Sequence, residues 1–227
     1  MITTLTRTDE DHVTPRAAAV PAPQGTKRRR RLQAGAAGLA VAGVLAAVAT
    51  AMMSDARFSD RYVTDQLERQ KITFRAVEAL TPDERKSECV VQNAGKALTT
   101  GKQAECYANE FIGLHVQNIG RGKTYAELED VRTGLLARIA AAQASGDPEL
   151  SKLQKDLGDL TGRREAMFKA EMLRGALLSS FGFSTLGEKV GQAATVAYAA
   201  AGLVALLSVA GLVAAARTPR SQRQILP

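Results

Sequence analysis

The chain has no tryptophan, two cysteines and two histidines in 227 residues, and aromatic side chains make up only 4% of it. Each scarcity excludes something. Histidine occurs at His12 and His115, so a two-histidine iron site cannot be built in any segment that lacks the leader. Two thiols and one histidine are too few for a closed zinc site. No G-x-S-x-G, glycine-rich phosphate loop or H-E-x-x-H pattern occurs, and with no such constellation the expectation is a protein that is not an enzyme and uses no cofactor or metal.

Charge is missing in two places. The runs Leu32–Met53 and Val190–Ala216 hold no Asp, Glu, Lys, Arg or His. About 20 uncharged, mostly apolar residues suffice to cross roughly 30 Å of hydrocarbon as a helix. Between the runs net charge is missing instead. Residues 1–31 carry seven Lys/Arg against Asp9, Glu10 and Asp11, and the tail adds Arg217, Arg220 and Arg223. Those flanks hold the whole net charge of +7, leaving 20 basic and 20 acidic residues in the middle. A basic chain invites a nucleic-acid reading, but the excess confined to Lys27, Arg28, Arg29, Arg30, Arg31, Arg217 and Arg220 is a topology signal. No nucleic-acid partner is expected.

The layout that follows is all-α: two transmembrane helices flanking an extracytoplasmic helical hairpin or bundle. Residues 1–31 form a disordered basic cytoplasmic leader, 32–53 the first membrane helix, 54–189 the exported domain, 190–216 the second membrane helix, and 217–227 a cytoplasmic tail. The location is a plasma membrane with both termini inside. A rival reading makes the first run a cleaved signal peptide, with Ala49-Thr50-Ala51 as the cleavage site. Its 22 residues exceed the usual apolar core of about 7–15, and the leader before it is long.

Between the runs, helix signals dominate. Ser54 to Thr73 continues the first helix outward, and Thr81-Pro82-Asp83-Glu84 starts another. Thr100 caps a helix to about Ile119, which Gly120 and Gly122 end. Thr124-Tyr125-Ala126-Glu127 is a capping box for a helix to about Ser145, with Gly146 behind it. Asp147-Pro148 starts a long helix to about Ser180, with Leu150, Leu153, Leu157 and Leu160 on one stripe. Phe181-Gly182-Phe183 is expected to break it, and Thr185-Leu186-Gly187-Glu188 to open the closing membrane helix.

Cys89 and Cys106 both fall in the exported segment, where an even pair favours a disulfide over a redox pair or metal ligands. His115 follows Ala104, Ala108 and Phe111 along one helical stripe. The spacing reads as a packed, hydrogen-bonded histidine, with a general base as the alternative. The membrane runs lack the ionisable residues that mark transport paths. They carry small residues instead: Ala34, Gly38, Ala42, Gly43 and Ala47 in the first, and Ala197, Ala201 and Gly202 in the second. Small side chains four apart let helix backbones approach, on each other, on a second copy or on another membrane protein.

Several stretches resemble a known group as a set. They are Gln66-Leu67-Glu68-Arg69-Gln70-Lys71-Ile72-Thr73-Phe74, Thr100-Gly101-Lys102-Gln103-Ala104, Tyr107-Ala108-Asn109-Glu110-Phe111-Ile112-Gly113-Leu114-His115, Gly122-Lys123-Thr124-Tyr125-Ala126 and Glu171-Met172-Leu173-Arg174-Gly175-Ala176-Leu177-Leu178. Together the chain resembles actinobacterial two-pass membrane proteins of unassigned function, some bearing a ring-opening dioxygenase label. The resemblance spans most of residues 55–216, implies the two-anchor layout and brings no catalytic residue. A ring-opening dioxygenase would need two histidines and a carboxylate on iron, and this segment has one histidine. The function expected is protein interaction or scaffolding in the cell envelope, with the lipid bilayer and an envelope protein or a second copy as partners. The alternatives are a membrane sensor that relays a signal and, after it, a small homo-oligomeric pore.

Overall fold

The computed structural model describes residues 24–217. The leader up to residue 23 and the tail from 218, which contains Arg220, lie outside the described residues. Six α-helices follow in order: α1 Gln24–Gln70, α2 Glu88–Asn93, α3 Gly101–Cys106, α4 Gly113–Gly120, α5 Tyr125–Ser145 and α6 Leu150–Arg217. Short 3₁₀ turns at Val77–Ala79 and Glu84–Lys86 precede α2, and a π-helical turn, Tyr107–Ile112, joins α3 to α4. Among the described residues there is no strand, only an isolated antiparallel bridge between Thr73 and Ala97. The protein is all-α.

Residues 45–199 form one compact unit. Its local starts and stops follow from side-chain chemistry. Thr100 and Thr124 each accept from the backbone N–H three residues on, while Gln103 and Glu127 reach back to the cap N–H, so two orphan donors are satisfied at each start. Gly146 ends α5 in the left-handed region, and Arg121 and Gly122 do the same after α4. Asp147 Oδ1 accepts from Glu149 N at 2.8 Å and leads the chain into α6.

Within this unit α6 serves as the spine. Leu153, Leu160 and Met167 on α6 share the core with Leu128, Leu135, Ile139 and Ala142 of α5. The antiparallel pairing of those helices is fixed by the Arg164–Glu129 ion pair and by Arg164 over the Tyr125 ring at 4.6 Å. Further along, Gly120 meets the end of Met167, Arg174 donates to Asn109 Oδ1 at 3.2 Å, and Gly101 packs on Ser184. Burying each Leu of this core from water contributes about 1.5–3 kcal/mol.

Two expected helix ends are corrected here. Phe181-Gly182-Phe183 does not break the helix, and Thr185 does not cap a new one, because α6 runs unbroken through both. A helical glycine costs only about 1 kcal/mol, and two close contacts outweigh it. Ser59 Oγ donates to Phe183 O at 2.8 Å, and a side chain on Gly187 would meet Ser59 Cβ at 2.8 Å. The small residues here bring helices together. The Thr81-Pro82 start, in turn, opens only the 3₁₀ turn Glu84–Lys86, after which Ser87 precedes α2.

The second unit holds the described residues up to 44 and from 200 onward. Here α1 and α6 lie antiparallel, with Gly35 against Leu212 and Gly38 against Ser208. Ser208 is buried but satisfied, since its hydroxyl donates to Val204 O at 2.7 Å. The large apolar side chains Leu39, Val41, Val44, Leu203, Leu206 and Leu207 point outward. Within this unit the buried positions on α1 are Gly35 and Ala42, and on α6 they are Ala201, Ser208 and Ala215. Both series have a period of seven, the seam spacing of left-handed helix pairs.

Candidate functional site

The least ordinary part of the chain is the loop between α1 and α3. Lys71, at φ 52, turns the backbone out of α1. Phe74 N then donates to Lys96 O at 3.0 Å, and Leu98 N donates to Ile72 O at 2.9 Å, closing residues 72–98 at their base. Cys89 on α2 and Cys106 at the end of α3 are joined in a disulfide, with their Cα atoms 6.1 Å apart. Closing a loop of 17 residues restricts the unfolded chain by about 3 kcal/mol in the chain-entropy model.

Glu84 sits inside this loop with its side chain fully buried. Thr81 N donates to its Oε2 at 2.7 Å, and Glu84 N donates to Thr81 Oγ1 at 3.2 Å, a capping box wrapped around a 3₁₀ turn. Its Oε1 lies 3.4 Å from both Arg75 Nη1 and His115 Nε2. Burial pushes this carboxyl up, yet the Thr81 N–H and hydroxyl, then Arg75 and His115, together hold it below its ordinary value. A buried carboxylate with both oxygens engaged is thus kept ionised.

Around it runs a ladder of rings built by the π turn. Phe74 meets Tyr107 edge-on at 5.1 Å, Tyr107 tilts on Phe111 at 4.7 Å, and Phe111 on His115 at 4.6 Å. The Arg75 guanidinium lies 5.3 Å from the Phe111 ring centre. Burial raises the pKa of the Tyr107 phenol; Arg75 opposes this and Glu84 adds to it. His115 donates from Nδ1 to Phe111 O at 2.7 Å. It sits half-exposed at the rim, off the buried Ala104–Ala108–Phe111 stripe, because the wide π turn interrupts the α-helical spacing before it.

This arrangement clamps the loop against the π turn and α4. Cys106 is bonded to Cys89, and no free cysteine remains among the described residues. Among the described residues no three His, Cys, Asp or Glu gather as metal ligands. The structure brings together Cys89 and Cys106, and adds Glu84 and Arg75, which pattern reading did not single out. The Thr81-Pro82-Asp83-Glu84 spacing is the signal that points to Glu84. Of the basic flank residues, Lys27 lies on α1, and Arg28, Arg29, Arg30, Arg31 and Arg217 sit at the same end of the antiparallel helix pair.

Compared with known proteins, the chain matches no family model, no curated protein and no solved structure. Two helices, Arg28–Gln70 and Leu150–Arg217, are long and apolar enough to cross a membrane.

Proposed function

We propose that the chain is a non-catalytic two-pass integral membrane protein. Both termini are cytoplasmic, and residues 54–189 form an extracytoplasmic helical domain that binds a membrane or envelope protein. The observation that carries this reading is exposure. Only 11% and 17% of the most apolar windows of α1 and α6 are buried. A core helix of equal apolarity would be covered, whereas Val41, Val44, Val48, Leu203, Leu206 and Leu207 face outward. Hydrocarbon is the solvent that suits such a surface, and closely packed small residues suit a helix pair within it.

Three further features agree. Arg28–Arg31 and Arg217 at one end fit cytoplasmic termini. The disulfide suits an oxidising compartment for the domain. Cleavage after Ala51 would cut through the buried Ala49 and Ala56 and the Thr50–Tyr198 hydrogen bond, which argues for an uncleaved anchor. The test is purification of the full chain from membranes washed in alkaline carbonate, using a mild detergent. The expected result is retention through the wash and recovery with a second protein or a second copy. A chain recovered alone and strictly monomeric would overturn the interaction role.

One observation favours a second reading, signal relay. Neither α1 nor α6 has a break between the domain and its apolar stretch, as a mechanical link requires. Truncating residues 1–25 and 218–227 with no change in any phenotype would remove it.

A further inference from the structure

The α1–α6 seam in the 45–199 unit has two flanks of different chemistry. On one flank, Thr50, Met53, Ser54, Arg57 and Arg61 of α1 follow each other at the spacing of one helix face. With Tyr198 of α6 they line a recess of about 410 Å³. One end is closed by a hydrogen bond, Thr50 Oγ1 to Tyr198 Oη at 2.8 Å, and the Thr50 hydroxyl itself donates to Ala46 O. The other polar residues that line the recess are Arg57, Arg61 and Ser54, all of them hydrogen-bond donors. Neither arginine is in an ion pair among the described residues, and neighbouring Asp60 pairs with neither. Two adjacent, unpaired guanidiniums are a phosphate-binding arrangement.

The level of the recess identifies which phosphate. Arg57 lies four residues past Met53 and Arg61 eight, about 6 and 12 Å along a helix rising 1.5 Å per residue. Because helical side chains lean toward the N-terminus, the long Arg61 side chain reaches back toward the level of Arg57. The headgroup zone of one leaflet is roughly 5–8 Å deep, half the difference between hydrocarbon and whole bilayer. The other flank marks the same level independently. There Phe58, Tyr62, Phe183 and Leu186 line an apolar groove of about 400 Å³ and are all largely exposed. Aromatic side chains gather where hydrocarbon meets headgroups.

We propose that the Arg57–Arg61 recess binds the phosphate of an anionic phospholipid headgroup in the extracytoplasmic leaflet, with Ser54 as a further donor and the Thr50–Tyr198 pair bounding it on the hydrocarbon side. The site rests on the membrane reading above. It gives the helix pair a fixed depth, and makes the surface around residues 50–61 a lipid contact rather than a protein contact.

The full chain, reconstituted in phosphatidylcholine vesicles with a minor fraction of spin-labelled phosphatidylglycerol, provides the test. The signal of motionally restricted lipid gives the preference for phosphatidylglycerol over labelled phosphatidylcholine. Arg57→Gln and Arg61→Gln are each expected to lower that preference roughly fivefold, as one charge at an anionic surface does. Arg57→Lys and Arg61→Lys keep most of it, and Arg69→Gln, farther along α1, leaves it unchanged. A double Gln variant that keeps the wild-type preference overturns the site. So does loss of the preference on adding millimolar inorganic phosphate, which assigns the recess to free phosphate. A chain that washes off the vesicles in carbonate contradicts the membrane reading itself, whereas retention without preference contradicts only the headgroup site.

Discussion

Replacing Glu84 by glutamine keeps shape and removes one charge, so it isolates what the buried carboxylate does. The Thr81 N–H at 2.7 Å still finds an acceptor in the glutamine oxygen. A hydrogen bond to a charged acceptor is stronger than a neutral one by about 1–2 kcal/mol, and that difference is lost. The new amide N–H₂ takes the place of the Oε1 that Arg75 Nη1 and His115 Nε2 approach at 3.4 Å. One N–H meets His115 Nε2, an acceptor while Nδ1 donates to Phe111 O, and the other faces the Arg75 guanidinium with no acceptor. An unsatisfied buried donor costs about 1–3 kcal/mol. The half-exposed Arg75 adds little to the total. The expected loss is about 3 kcal/mol, or roughly 100-fold in a local opening equilibrium.

Amide hydrogen exchange of the full chain in detergent reads that opening directly. Phe74 N and Leu98 N, which close the loop base, are the reporters, and both should exchange roughly 100-fold faster in Glu84→Gln. The pH dependence has a definite sign. The folded-state pKa of Glu84 lies below the ordinary carboxylate value of about 4.3. Its stabilisation is therefore fully present above that value and is lost as pH falls through the lower, folded-state value. The difference between wild type and variant should hold from neutral pH down to the ordinary value and shrink below it. A difference under about threefold at neutral pH, or one that does not shrink in acid, would refute the reasoning.

Other outcomes follow from the same packing. Replacing Cys89 and Cys106 by alanine should destabilise the loop by about 3 kcal/mol, and only the wild type should change mobility between reduced and non-reduced gels. Gly187→Val places a side chain where Ser59 Cβ is 2.8 Å away, so overpacking of about 1–3 kcal/mol should lower the thermal midpoint; no change would deny the close approach of α1 and α6. Thr124→Ala removes the α5 cap and should cost about 1 kcal/mol, seen as faster exchange in the first turn of α5 alone.

Helix starts were legible because their chemistry is local. Thr124 with Glu127 needs nothing outside its own turn, and the same holds for Gly146 at φ 68. The two apolar runs were legible because composition alone marks them. Phe181-Gly182-Phe183 misled because the local cost of glycine competes with contacts 83 and 124 residues away in sequence, Gly101 on Ser184 and Ser59 on Phe183. The seven-residue seam was hidden for a similar reason. Many Ala and Gly sit four apart in these runs, and only the partner helix decides which of them are covered. Glu84 shows both sides: its capping box lies in the sequence, but its burial needs Arg75 and His115, brought near by loop closure and the π turn.

The most direct test of the two-pass reading places reporters on both sides of the proposed membrane. Alkaline phosphatase inserted at the exposed turn around Gly146 should be active in a bacterial host, because it folds only outside the cytoplasm. The same enzyme fused before Met1 or after Pro227 should be inactive, and green fluorescent protein at either end should fluoresce. An active phosphatase at either terminus, or an inactive one at Gly146, would contradict the layout.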